Sequence, residues 1–273
     1  MSMSVKHHRS RLGLLFATAA AVLMTAAGGV LFTLISAEGS PSESILFREE
    51  FNTLDRWKPL KFKKVRNLSD YTLDLQANKE CYLRAHSSGS ASALVWQGEY
   101  DVYEYPKVRW RWKVSNIYTR GNAFEKSGDD YPMRIYVMFK YDPEDPNVKR
   151  KFKYGLGKFL YGEYPPYKSL TYIWANRDPG RQYFPNPYTG DAMMIPLRSG
   201  PALAGHWLTE EVNVLEDYRT AFGTDPPRMA GLAIMNDSDD TGESSESWID
   251  YIEIFRSTED LTGNGEKEKG KAP

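Results

Sequence analysis

Short runs of apolar or alternating residues restrict what this chain can fold into more than any other feature. Gly, Pro, Asn or Asp stand between most of the runs and favour turns there. Short runs of this kind are typical of strands. About eleven short strands predict an all-β fold, a two-sheet antiparallel sandwich with one or two short helices. The predicted strands are residues 45–51, 60–65, 71–75, 81–85, 93–97, 108–114, 133–141, 170–174, 192–197, 229–235 and 248–255.

Aromatic residues make up 14% of the chain, with 18 Tyr and 7 Trp. This share exceeds what a helical bundle needs for its core, and it suits both β-strands and sugar-binding surfaces. The only cysteine is Cys81, so no disulfide can form within the chain. Stability therefore has to come from ordinary packing of one domain, predicted over residues 38–257.

The first 37 residues predict a signal or membrane-anchor segment. Residues 12–37 carry no charge, and Lys6, Arg9 and Arg11 precede them. Because this run is longer than a usual signal peptide and long enough to span a bilayer, an N-terminal hydrophobic helix that stays as an uncleaved anchor is favoured over a cleaved leader. In a bacterial cell the basic flank would stay in the cytoplasm, which predicts a periplasmic or extracytoplasmic domain attached to the inner membrane.

Two segments have helical rather than strand spacing. Residues 147–161 repeat apolar residues at helical spacing among many Lys and Arg. This predicts a helix that closes an edge of the sandwich, or alternatively a helix that contacts anionic lipid or an acidic polymer. Residues 215–222 predict a short helix that ends at Gly223. The charged segment 258–273 predicts a disordered tail.

Several ordered blocks identify a family resemblance. The blocks are 110–114 (Trp-Arg-Trp-Lys-Val), 128–132 (Gly-Asp-Asp-Tyr-Pro), 161–166 (Tyr-Gly-Glu-Tyr-Pro-Pro), 172–176 (Tyr-Ile-Trp-Ala-Asn) and 233–242 (Ala-Ile-Met-Asn-Asp-Ser-Asp-Asp-Thr-Gly). Over most of residues 45–255 the chain resembles a bacterial family known as domain of unknown function 3047. That resemblance supports the fold and assigns no role to any residue.

A weaker likeness concerns the two ends of the predicted domain. Residues 47–52 and 248–255 resemble the first and last strands of jelly-roll carbohydrate domains, which makes the expected sandwich jelly-roll-like. The laminarinase-like hydrolases of that fold carry Glu-x-Asp-x-x-Glu on a central strand, and this sequence has no such motif. Its absence counts against a glycosidase.

An acidic turn follows the apolar run at 229–235. Asp237, Asp239 and Thr241 place oxygen atoms at alternate positions, and Gly242 comes next. Oxygen ligands spaced in this way can converge on a hard cation, so one interpretation of the turn is a calcium site. The alternative is a solvated acidic turn held by side-chain hydrogen bonds to the backbone.

Alternation at 109–113 places Trp110 and Trp112 on one face of a strand and the basic residues Arg109, Arg111 and Lys113 on the other. The Trp side chains are expected in the core. If Arg111 faces a concave sheet, it could bind a carboxylated or sulfated sugar while nearby aromatic rings stack on the sugar. The ligand-binding residues predicted for such a groove are Arg111, Arg134, Tyr136, Trp174 and Asn176.

Carboxylates suitable for acid–base chemistry are Asp129, Asp130, Glu211 and Asp217. The Asp129–Asp130 pair precedes Arg134, so it could bind sugar hydroxyls, hold a cation or supply an acid and a base, or simply cap a turn beside that guanidinium.

Three functions stay open. The first is an exported protein that binds a cell-envelope or extracellular glycan, the second is a hydrolase or lyase that cleaves one, and the third is a non-catalytic envelope assembly protein. The sequence contains neither a phosphate loop nor a dinucleotide fingerprint, so no nucleotide cofactor is expected. Outside the leader, acidic residues outnumber basic ones, so no nucleic acid partner is expected.

Overall fold

The computed structural model describes residues 42–62, 65–75, 81–140, 168–258 and 260. They belong to one compact unit, Ser40–Pro273. The strands are β1 (Glu43–Glu49), β2 (Trp57–Leu60), β3 (Asp70–Leu75), β4 (Cys81–Ser88), β5 (Ala91–Trp96), β6 (Tyr100–Asp101), β7 (Lys107–Val114), β8 (Arg134–Phe139), β9 (Lys168–Ala175), β10 (Phe184–Asn186), β11 (Thr189–Ser199), β12 (Leu208–Asn213), β13 (Met229–Asp237) and β14 (Ser244–Ser257). A helix, α1, spans Val214–Phe222 and a short 3-10 helix spans Lys126–Gly128.

The strands form two sheets. Sheet A has the order β12-β7-β14-β4-β3, with β1 also paired to β14. Sheet B has the order β10-β11-β9-β8-β13-β5-β2, and β6 pairs with β13. The predicted all-β sandwich is confirmed. All strand pairs are antiparallel except β9 with β11, which run parallel.

The core lies between the two sheets. Alternate residues of β7 and β14, including Trp110, Trp112 and Ile252, are fully buried there against Tyr172 and Trp174 of β9. Edge and tilted ring contacts connect Trp110, Trp112, Tyr172 and Trp174 across the interior. Trp110 and Trp112, which were predicted to lie in the core, therefore pack sheet A against sheet B.

The helix predicted at 215–222 is confirmed as α1. Asn213 begins it by accepting hydrogen bonds from the amides of Leu215 and Glu216, both at 3.2 Å. Gly223 ends it with φ of 67°, a left-handed conformation that suits glycine. Within the described part of the chain, no helix is long and apolar enough to cross a membrane.

The segments predicted as the N-terminal hydrophobic helix and the basic helix at 147–161 lie outside the described residues, as does nearly all of the tail at 258–273.

Candidate functional site

The outer face of sheet A is built by the strict alternation of β7. Trp110 and Trp112 point inward with no exposed surface, so Arg109, Arg111 and Lys113 point outward and remain partly exposed. The sequence predicted this arrangement.

The neighbouring strand β14 adds aromatic and acidic side chains to that face. Trp248 lies opposite Lys113 on one side and opposite Arg84 of β4 on the other. A bulge between Ile249 and Tyr251 turns two consecutive side chains outward, and Asp250 there accepts a hydrogen bond from Arg111 Nη1 at 2.8 Å. The bulge thus places a carboxylate beside the aromatic residues.

A turn before β12 brings in a further indole ring. Gly205 has φ of 82°, and its amide donates to the Val114 carbonyl at 2.8 Å, which fixes the turn next to β7. Trp207 follows two residues later and is half-buried. Its ring centroid lies 4.9 Å from that of Tyr82 of β4.

We call Tyr82, Arg111, Lys113, Trp207 and Trp248 the outer platform. The Lys113 ammonium lies 4.2 Å from the Trp248 ring centroid and 5.0 Å from that of Trp207. The Arg111 guanidinium lies 5.0 Å from the same Trp207 ring. These separations are within cation–π range, so the two cations hold the indole rings in place.

Next to the outer platform, the same face carries an ion-pair network centred on Arg109. Its guanidinium contacts Glu43 at 2.6 Å, Glu211 at 3.0 Å and Glu253 at 3.1 Å. Burial opposes the charge of Arg109, but the hydrogen bonds that its guanidinium donates to Glu43 and Glu211 outweigh this effect, so its pKa is raised. Glu211, a predicted catalytic carboxylate, is thus engaged by a cation.

A second cluster of charges lies where β8 and β13 meet their loops. Arg134 is almost fully buried, and its Nε donates to Asp237 Oδ1 at 2.8 Å, while Nη1 contacts Asp129 Oδ2 at 3.4 Å. The ring of Tyr131 packs 4.7 Å from the guanidinium. Burial raises the pKa of Asp129, although Arg134 and the amide of Asn186 counteract this. Of the pair at 129–130, Asp129 therefore contacts the buried cation directly.

Three carboxylates of this cluster could hold a metal ion. One oxygen from each of Asp130, Asp237 and Asp239 lies within 4.8 Å of the others. Asp130 Oδ2 also accepts from the Thr241 amide at 2.5 Å, whereas Thr241 Oγ1 accepts from the Glu243 amide at 3.3 Å. The structure thus brings the predicted ligands Asp237 and Asp239 together with Asp130, and leaves the Thr241 hydroxyl in a turn contact.

The predicted groove does not form as one surface. Trp174 has no exposed surface and donates from Nε1 to the Gly200 carbonyl at 3.1 Å, so it belongs to the core. Asn176 is buried and bridges the Tyr118 amide and the Asp130 carbonyl. Tyr136 lies on sheet B beside Met235, on the opposite side of the sandwich from Arg111. Alternation alone could not predict which sheet each residue joins.

Asp217 lies apart from the other predicted carboxylates, on α1. It accepts hydrogen bonds from Tyr172 and Tyr183, each at 2.8 Å. Burial raises its pKa, and these two hydroxyl donors oppose the shift. Asp217, Glu211 and the pair at 129–130 thus have separate partners and do not converge on one cleft.

Sequence reasoning missed three members of the outer platform, namely Tyr82, Trp207 and Trp248. Trp248 lies within a predicted strand. Successive residues of a strand point to opposite faces, so an inward Ile249 would have placed Trp248 on the outer face. Nothing in the sequence around Trp207 or Tyr82 predicts that their rings meet.

The sequence profile of the family described as "Protein of unknown function (DUF3047)" matches residues 55–253. The chain belongs to this family. The predicted resemblance is therefore confirmed for this DUF3047 protein over most of its β-sandwich. No curated protein matches the chain significantly.

Solved structures similar to this DUF3047 protein include three sandwich proteins. The family 11 carbohydrate-binding module from Clostridium thermocellum has a TM-score of 0.39 and 10% identity, covering 79% of this chain and 97% of the module. Endoglucanase 3 of Trichoderma harzianum has a TM-score of 0.37 and 9% identity, covering 81% of this chain and 100% of the endoglucanase chain. Winged bean acidic lectin has a TM-score of 0.34 and 9% identity, covering 80% of this chain and 100% of the lectin chain. With TM-scores below 0.5, these likenesses support no conclusion about function.

Proposed function

We propose that this protein binds a glycan on the outer platform of sheet A. One observation supports this most directly: of the 7 Trp residues, Trp207 and Trp248 alone lie on an outer sheet face, and both are next to charged hydrogen-bonding groups. The other five belong to the core between the sheets.

The chemistry of the outer platform suits a sugar. The apolar face of a pyranose stacks on an indole ring, while hydroxyl groups need donors and acceptors at the ring edge. Arg111 and Asp250 provide both kinds of group within one hydrogen-bonded pair, and Arg84 with Glu246 provides a second pair. An aromatic surface with a few polar groups at fixed positions is typical of ligand sites. A cleavage reaction is less well supported, because the predicted catalytic carboxylates lie in three separate places, the pair at 129–130, Glu211 and Asp217, each with partners of its own.

Point variants test the proposal. The full chain in mild detergent would be titrated with neutral, carboxylated and sulfated oligosaccharides in a calorimeter. Trp248→Ala should weaken binding of the recognised sugar by about tenfold or more, since truncating an aromatic anchor of a binding surface commonly costs more than about 1 kcal/mol. Phe124→Ala removes an aromatic that is 49% exposed and packs against Phe184 of sheet B, and it should leave binding unchanged. If no sugar in the panel binds, the proposal is wrong.

We also propose calcium as the cation for Asp130, Asp237 and Asp239. Arg134 supplies one buried positive charge against the buried carboxylates of Asp129, Asp130 and Asp237, so negative charge is in excess. Burial raises the pKa of Asp239 as well, and a divalent cation would offset the cost of ionising it.

Calcium should therefore raise the melting temperature of the parent protein, and magnesium should raise it less because it needs a tighter octahedral site. The variant Asp239→Asn changes the most exposed of the three ligands and should abolish the rise. Asp191→Asn, on a different strand, serves as the control. An unchanged melting temperature of the parent protein in millimolar calcium would exclude the cation.

We further propose that the sandwich domain lies outside the cytoplasm, attached to the inner membrane, and binds the glycan there. The uncharged run at 12–37 supports this location. Protease added to spheroplasts should degrade the sandwich domain. Survival of the domain until the membrane is dissolved would contradict export.

A further inference from the structure

Charges on the outer face of sheet A are nearly all matched. Carboxylates contact the guanidinium groups of Arg48, Arg84, Arg109 and Arg111, and Asp260 lies 3.7 Å from the Lys107 ammonium. Each of these cations therefore already has a carboxylate as its counter-charge within the protein.

Lys113 differs from these cations. Among the described residues its ammonium contacts the rings of Trp207 and Trp248 and has no carboxylate partner. Aromatic faces attract the charge but accept no strong hydrogen bond, so three N–H donors stay available to a ligand. The ammonium is thus close to both of the indole rings on which a sugar would stack.

Building on the proposed glycan binding, we infer that the outer platform selects an anionic sugar, with a carboxylate or sulfate group bound by Lys113. A sugar stacked on Trp248 or Trp207 would bring a substituent of its ring within reach of the ammonium, since the nitrogen is 4.2 Å and 5.0 Å from the two ring centroids. Arg111, which also lies against Trp207 and uses Nη1 for Asp250, offers further donors to the same anion.

Matched ligands separate this inference from the general proposal. The full chain in mild detergent would be titrated with cello-oligosaccharides, with β-1,4-oligoglucuronates of the same length, with the methyl esters of these, and with sulfated cello-oligosaccharides. The glucuronate or the sulfated sugar should bind about tenfold more tightly than its neutral counterpart, because a hydrogen bond to a charged group is worth more than one between neutral groups. The methyl ester should bind like the neutral sugar.

Variants at position 113 assign the effect to one side chain. Lys113→Gln should remove the preference for the anionic ligand and keep the weaker neutral binding, whereas Lys113→Arg should retain most of the preference. Lys58→Gln, on the exposed β2 of the other sheet, is the control and should change neither affinity.

Each outcome is decisive. Equal or tighter binding of the neutral sugars would overturn the inference and leave glycan binding intact. An anionic preference that persists in Lys113→Gln would also overturn it. Failure of every ligand, neutral and anionic, would overturn both.

Discussion

Arg134 of β8 holds its charge in a site closed to solvent, and its partners come from two other segments of the chain, the loop before β8 and strand β13. Burial opposes that charge, yet the acidic groups around it, Asp129 and Asp130 among them, raise its pKa. Asp237 binds the guanidinium through both carboxylate oxygens. The side chain therefore connects β8, β13 and the loop before β8, and removing it would leave carboxylates buried without a counter-charge.

Arg134→Met should destabilise the protein by about 3–5 kcal/mol, the usual cost of breaking a buried ion pair from one side. Urea denaturation of the variant and the parent gives this difference. Arg84→Met, which removes a partly exposed partner of Glu246, should change stability by less than about 1 kcal/mol. Similar losses in the two variants would show that Arg134 is not in a closed site.

Trp174 and Trp248 make a second contrast between single residues. Trp174→Ala should lower the free energy of unfolding by about 3–5 kcal/mol, because it empties a fully buried site against Trp112. Trp248→Ala should cost far less stability and affect sugar binding instead. Urea denaturation and calorimetric titration of both variants separate the two roles, and a stable Trp174→Ala protein without sugar binding would return Trp174 to the ligand site.

Among the elements, β12 shows most clearly what the sequence could not reveal. Its inward positions are Leu208, Glu210 and Val212, so an acidic residue interrupts the apolar alternation. Glu210 can face inward because it accepts a hydrogen bond from Trp112 Nε1 at 3.0 Å and pairs with Arg198 at 2.7 Å. Trp112 and Arg198 lie in other strands, and their contacts with Glu210 cannot be inferred from the local sequence. The hydrophobic pattern of residues 208–213 therefore predicted no strand here. Strands with uninterrupted alternation, such as β7, were predicted with nearly correct ends.

The candidate site was predictable to a similar extent. Alternation placed Arg111 on an outer face, and the spacing of Asp237 and Asp239 predicted an acidic turn that the structure brings to Asp130. The grouping of residues from different strands depends on strand order, which is set by long-range pairing. The outer platform and the separation of Arg111 from Tyr136 follow from that order alone.

The helix α1 makes the stability of the protein depend on pH through Asp217. Its pKa is raised by burial, so the unfolded chain ionises at lower pH than the folded protein does. As the pH rises from about 4 through the raised pKa of the folded state, this group should therefore lower the free energy of unfolding. Below the ordinary pKa both states are protonated and the penalty vanishes.

Asp217→Asn should abolish that dependence. The amide oxygen of the variant can still accept a hydrogen bond from one of the two hydroxyls, that of Tyr172 or that of Tyr183. The contact with the other hydroxyl becomes weaker, which should lower the free energy of unfolding by about 1 kcal/mol at every pH. The stability of the variant relative to the parent should therefore rise between about pH 4 and pH 7 in urea denaturation. Asp55→Asn, in the exposed turn before β2 and not among the groups that shift the pKa of Asp217, is the control. Parallel pH profiles for parent and Asp217→Asn would contradict the prediction.

On the scale of the whole molecule, the first and last strands close the sandwich. β1 pairs with the end of β14, with Glu43 opposite Ser257, and Thr258 donates to the Ser42 carbonyl at 2.8 Å. β14 also pairs with β4 and β7, so the last strand is held by three others. Folding must then wait for contacts between residues far apart in sequence, which is slow for sheets of this kind.

Because the two ends of the sandwich lie side by side, joining them should preserve the fold. A circular permutant would connect Asp260 to Ser42 through a linker of about five residues and begin at Gly180, in an exposed turn. Its far-ultraviolet circular dichroism should match that of the parent, with a melting temperature within about 5 °C, since no strand is cut. A second permutant that begins at Asp250 divides β14 between its three partner strands and should not fold. An unfolded first permutant, also with a longer linker, would contradict the prediction that β1 and β14 hold the two ends side by side.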